Sequence, residues 1–126
     1  MEKAKNKAFI SRYFNALSGV TKTRQLLEEY VTDEKLIAHI GFYDKVFLNY
    51  EIFADEMMAE DNKVIVRARV KGVHEGEIKG ILPTHRKVEF PFVICYTIEN
   101  GKISDHWIIA DQMTILEQLG VMNMPV

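Results

Sequence analysis

A single cysteine, Cys95, stands in this 126-residue chain, so no internal disulfide can form. Its apolar neighbours read as strand interior, and a reduced, cytoplasmic setting is expected. The four histidines have no cysteine companions and no i, i+4 pairing, so no zinc motif is readable. Apolar runs end after a few residues, far short of the ~20 that cross a bilayer. The charged start, MEKAKNKAF, has no apolar stretch behind it to serve as a signal. Sixteen Lys and Arg are interspersed with eighteen Asp and Glu, a formal net charge of -2. Without a basic stripe, a nucleic-acid partner is not expected. Gly-rich phosphate loops, nucleophile elbows and dinucleotide fingerprints are also missing.

What remains is the balance of a globular domain, 48% hydrophobic and 27% charged. The length suits one domain, 1–126. The first half reads helical. Ile10, Tyr13, Phe14 and Leu17 form an apolar stripe that stops at Gly19. Thr21 or Thr23 caps a short second helix with Leu26, Leu27, Tyr30 and Val31 on one side. Thr32 or Asp33 opens a third, carrying Leu36, Ile40, Tyr43 and Phe47. After Leu48 the period drops to about two. Tyr50, Ile52 and Ala54 share a face, and Glu60-Asp61-Asn62 turns the chain. Val64, Val66, Ala68 and Val70 then oppose Arg67, Arg69 and Lys71. A long strand follows with Val88, Phe90, Phe92, Ile94, Tyr96 and Ile98 on one side, where Pro91 predicts an edge or a bulge. Asn100-Gly101 marks a hairpin, and a short helix spans Met113 to Leu119. Helices followed by an antiparallel meander give an α+β layout, in which a curved sheet leaves a hollow for a small ligand.

Strict alternation in the last strand puts Trp107, Ile109 and Asp111 on one face, and His106, Ile108 and Ala110 on the other. A carboxylate beside Trp107 and Ile109 is costly to ionise, which raises its pKa toward that of a general base. The plainer use of Asp111 is to cap the terminal helix, and a capping carboxylate can still face a cavity. His74 falls on the apolar side of its strand end, placed either to polarise a carbonyl or to close a strand-end hydrogen bond. His39 borders the hollow or stays partly exposed. His106, of opposite parity to Asp111, belongs on the outer face at a subunit contact, and His85 in solvent. Tyr13, Tyr50, Phe90, Phe92 and Tyr96 read as core and pocket lining rather than a stacking platform for bases.

Two stretches resemble a known family. Arg67–Thr84, RARVKGVHEGEIKGILPT, is similar to the Gly-Thr-His and Gly-Ile-Pro-Pro-Thr run of the SnoaL-like polyketide cyclases. Glu99–Gly120, ENGKISDHWIIADQMTILEQLG, is similar to their closing Trp…Asp…Gln-Leu-Gly pattern. The resemblance implies a nuclear-transport-factor-2-like cone that dimerises through the sheet's outer face. It also implies cofactor-free acid/base chemistry, with Asp111 matching the base of an intramolecular aldol cyclisation. Val73 replaces the family's Thr, and Thr84-His85 its Thr-Gly. Tyr30-Val31-Thr32 runs straight into the third helix, where the family has a strand and loop. The expected function is therefore an acid/base enzyme acting on a small, largely apolar carbonyl compound. Asp111 and His74 would be its catalytic residues, and Trp107, Ile109, His39, Tyr13, Phe92 and Tyr96 would bind substrate. A non-catalytic binding or dimerisation domain is the first alternative. The second is epoxide hydrolysis, as in limonene epoxide hydrolases of the same fold, which needs an inward Arg67 or Arg69 beside Asp111 and Asp55.

Overall fold

Helical periodicity ends at Phe47, and from there every element is a strand until the last turn of chain. In the computed structural model, which describes residues 2–120, α1 (Glu2–Leu17), α2 (Arg24–Glu28) and α3 (Glu34–Val46) precede β1 (Glu51–Glu60), β2 (Lys63–Val73), β3 (Lys87–Glu99), β4 (Lys102–Ala110) and α4 (Gln112–Gln118). The strands form one antiparallel meander in the order β1-β2-β3-β4. Of the proposed caps, Thr23 and Asp33 are used: Thr23 accepts the Leu26 N–H, and Asp33 accepts those of Lys35 and Leu36. Asn100 and Gly101, with φ of 53° and 76°, close the β3–β4 hairpin.

The predicted apolar faces of α1, α3, β2 and β3 all turn inward and form the core. In β1 and β4, one extra residue interrupts the alternation. The β1 register slips between Ala54 and Glu56, so beyond Ala54, which pairs with buried Ala68, it is Met57 and Ala59 that pack inward. In β4, Thr97 pairs with Asp105 but Ile98 pairs with Ile103, leaving Ser104 as the extra residue. Ile103 is fully buried, yet beyond Ser104 the inward positions become His106, Ile108 and Ala110. Pro91 lies in a central strand rather than at an edge. It sits beyond the last β3–β4 pair, Phe92 with Ala110, so its missing N–H leaves no gap in that ladder.

A buried ion pair fixes the helical roof. Lys22 Nζ donates to Val20 O (2.9 Å), Asp44 Oδ1 (3.2 Å) and Tyr50 O (2.8 Å), and lies 3.9 Å from the Tyr50 ring centroid. Asp44 also accepts the backbone N–H groups of Lys22 and Asn49. The α1–α2 turn, the last turn of α3 and the entry to β1 therefore meet at one point. Burial holds the Lys22 pKa below its ordinary value, and the Asp44 carboxylate opposes that shift. The loop after β2 caps α3, as the N–H groups of Glu75 and Gly76 donate to Val46 O. Gly76 comes so close to the Lys45 carbonyl that a Cβ would collide with it.

Removing one partner of such a pair strands the other charge away from water. Asp44→Ala is expected to lower unfolding free energy by roughly 3 kcal/mol. Lys22→Met is expected to cost less, because its chain still packs and the Asp44 carboxylate left behind keeps the backbone N–H groups of Lys22 and Asn49. Urea unfolding of both variants, read by far-ultraviolet circular dichroism, checks the order.

Candidate active site

Between the helices and the inner face of the sheet lies a cavity of about 130 Å³. Its wall is mostly aliphatic and aromatic, drawing on Leu36 and Ile40 of α3, Phe90 and Phe92 of β3, and Ile108 and Ala110 of β4. The polar groups at the wall are His39, Gln112 and the tyrosines 13, 43, 50 and 96. Tyr13 is central, with its ring centroid 5.7 Å from Tyr96 in an edge-to-face contact and 5.6 Å from Tyr30. Burial, the largest cause, raises the pKa values of Tyr13, Tyr50 and Tyr96, so these phenols stay protonated and can donate.

His39 is half-buried on α3, its ring centroid 4.7 Å from that of Tyr43. Burial lowers its pKa below 6.5, and the nearby His106 lowers it further. His39 is therefore mostly neutral at neutral pH. Among the cavity-lining residues it is the one whose ordinary titration range lies near neutrality. Of the expected substrate-binding residues, Tyr13, His39, Phe92 and Tyr96 line the cavity.

Trp107 and Ile109 do not. They are 49% and 67% exposed on the outer face, because the Ser104 bulge reverses the parity of the strand. His106, expected outside, turns inward for the same reason, and its Nδ1 lies 2.7 Å from Asp33 Oδ2. Asp111 is exposed as the N-cap of α4, with Oδ1 accepting the Thr114 N–H at 3.0 Å and Oδ2 the Thr114 hydroxyl at 2.7 Å. Those bonds pull its pKa below the ordinary carboxylate value, the reverse of the rise expected from burial beside Trp107. Its neighbours Ala110 and Gln112 reach the cavity wall, whereas Asp111 is not part of it.

His74 is fully buried but also lies outside the cavity wall. Its Nδ1 accepts the Thr84 N–H at 3.1 Å and sits 3.0 Å from the Thr84 hydroxyl, so it clasps the ends of the 74–84 loop. That places the ring proton on Nε2, which has no partner among the described residues. Arg67 and Arg69 point outward to Glu56 and to Asp55 and Glu89, so the set of inward charges that epoxide hydrolysis needs is not assembled. Among the described residues, no group of three or more His, Cys, Asp or Glu is arranged to hold a metal ion. No described helix is long and apolar enough to cross a membrane.

Periodicity assigned Asp33 to a helix cap and His106 to the surface, and so missed their pairing. Tyr50, read as pocket lining, is at the cavity wall, whereas Tyr43 was visible only as an apolar-face residue and nothing local marked it as wall. Gln112, just past the strand, carried no signal.

Helices laid on a curved antiparallel sheet around an internal cavity define the α+β cone fold. The chain belongs to the SnoaL-like polyketide cyclase family, whose model matches residues 45–119. No curated protein matches it in sequence. Among solved structures it is similar to AclR from Streptomyces galilaeus, at 21% identity and TM-score 0.80, over 98% of this chain and 86% of that one. It is similar to TsrD from Streptomyces laurentii, at 19% identity and TM-score 0.80, over 94% and 97% of the two chains. A SnoaL-like polyketide cyclase from Agrobacterium tumefaciens aligns at 16% identity and TM-score 0.75, over 91% and 98%. These likenesses carry the fold.

The lowered pKa of His39 has a consequence for stability. Between its folded value and 6.5, the unfolded chain binds more protons than the folded one, so stability rises with pH in that window. Its contribution is fully present above 6.5 and is lost as pH falls. Melting temperatures measured between about pH 5 and pH 7.5 should fall less steeply on acidification for His39→Gln than for the unmodified protein.

Proposed function

We propose that the protein is a cofactor-independent acid/base enzyme acting on a small, largely apolar carbonyl compound bound in the cavity, with His39 as the base. One observation carries this reading: a neutral, half-buried histidine at the wall of a mostly apolar cavity, among protonated tyrosines. The C–H bond next to the carbonyl breaks, and its proton moves to a ring nitrogen of His39. The electron pair shifts to the carbonyl oxygen, and a tyrosine O–H donates to the enolate formed. Return of the proton at a different carbon gives isomerisation, whereas attack of the enolate on a second carbonyl gives cyclisation. Asp111 is a weaker candidate, because both its oxygens are engaged by Thr114 and its anion is stabilised. The cavity volume of about 130 Å³ is close to the ~150 Å³ that accommodates benzene. It therefore suits one ring.

Deuterium uptake by cyclohexanone in heavy water tests this reading. The protein should accelerate exchange, His39→Gln should lose about a hundredfold, and Asp111→Asn should keep most of the rate. Loss in Asp111→Asn with retention in His39→Gln would return the base role to Asp111. The Asp111–Thr114 bonds also favour a second reading, a binding domain without turnover. Saturable binding of cyclohexanone with no exchange would establish it.

We also propose that two copies pair through the outer sheet face. Met58, Ile65, Cys95 and Trp107 form one apolar row across all four strands, and Ile109 follows in the next row. Ion pairs of Arg67 and Arg69 flank it. Sedimentation equilibrium should give a dimer that Trp107→Lys converts to monomer. A monomeric unmodified chain at micromolar concentration would contradict the pairing.

A further inference from the structure

The cavity wall differs in polarity and burial from one part to another. His39 and Tyr43 are half-buried and Gln112 is exposed, so this part of the wall meets solvent. Tyr13 and Tyr96 are only 1% and 3% exposed, and they line the cavity together with Leu17 and Ile94, whose side chains hold no polar atom. Tyr13 comes from α1 and Tyr96 from β3, and their rings stand edge to face at 5.7 Å. Phe14 packs on both rings, at 6.0 and 6.4 Å between centroids, and fixes them in place.

Neither phenol is paired by the fold. Among the described residues, neither Tyr13 Oη nor Tyr96 Oη makes a hydrogen bond, and neither is shut away from open space as the unpartnered Nε2 of His74 is. The space they reach is the cavity. Asp33, the carboxylate whose charge acts on Tyr13, has both oxygens engaged by α3 and His106. A buried phenol ordinarily finds a partner. Two neighbouring phenols without one, at the wall of one small cavity, mark the place of an acceptor that the described chain does not supply.

We propose that Tyr13 and Tyr96 are the carbonyl-binding pair of the cavity, so that a ring-sized ketone binds with its oxygen between their hydroxyls and its ring toward the half-buried side. This rests on the reading that a carbonyl compound occupies the cavity, and not on His39 being the base. Burial keeps both phenols protonated, so each can donate. A carbonyl oxygen carries two lone pairs and can accept from both. Negative charge that develops on that oxygen as a neighbouring C–H bond breaks strengthens both hydrogen bonds. A hydrocarbon of the same shape would leave two buried donors without a partner, so the site selects against it.

The test uses carbonyl-labelled cyclohexanone, followed by carbon NMR, and methylenecyclohexane, which replaces the oxygen with a methylene group. Bound to the full chain, the labelled carbonyl should resonate at or downfield of its position in water, since two donors take the place of solvent. A resonance displaced upfield, toward its position in hydrocarbon, overturns the proposal, and this readout needs no variant. Tyr13→Phe and Tyr96→Phe should each weaken cyclohexanone binding about fivefold and move the resonance upfield, while methylenecyclohexane binds no less tightly. Without ligand, both variants should melt at the same temperature as the unmodified protein or higher, because the lost hydroxyls hold no part of the fold together. Unchanged affinity and resonance in both variants overturn the pair, even where exchange is still catalysed. No saturable binding of cyclohexanone would overturn the carbonyl reading and this proposal together. Retained exchange in His39→Gln removes only the base, and the carbonyl resonance still decides the role of Tyr13 and Tyr96.

Discussion

One extra residue in β4 decides what the cavity contains. Had the strand alternated without interruption from Ile103, Trp107 and Ile109 would face inward and His106 would face solvent. The slip at Ser104 reverses that order. Ile108 and Ala110 become cavity wall, and His106 meets Asp33. Trp107 joins the apolar row on the outer face, and Asp111 emerges into solvent to cap α4. The interior chemistry and the outer surface are thus set by the same backbone irregularity.

The roof depends on a different constraint. The Lys22 ammonium is buried, and the three oxygens around it come from the α1–α2 turn, α3 and the chain entering β1. An ammonium away from water tolerates little displacement of its acceptors. This helps fix the end of α3 over the sheet, and with it Tyr43 and Phe47 at the cavity. At the other end of α3, Asp33 caps the helix and reaches β4. His39 sits between these two fixed ends.

Most of the fold was legible because apolar spacing reports burial directly. Ile10, Tyr13, Phe14 and Leu17 on α1, and Val88 through Ile98 on β3, lie where their periodicity places them. The family motifs in residues 67–84 and 99–120 agree with the matched span 45–119. Half of the site was not legible, for physical reasons. A bulge changes parity without a fixed residue type, so Ser104 looked like any other strand position. Asp33–His106 and Lys22–Asp44 join residues 73 and 22 positions apart, and local pattern carries no information about such contacts. The carboxylate that drew attention, Asp111, proved to be a cap whose bonds favour its charged form.

Where a small carbonyl compound sits relative to His39 tests the account most directly. Intermolecular nuclear Overhauser effects from bound cyclohexanone should reach the ring protons of His39 and the side chains of Ile108 and Ala110. Effects confined to Thr114, Trp107 and Ile109 would place the ligand beside Asp111 or on the outer face, and would contradict it.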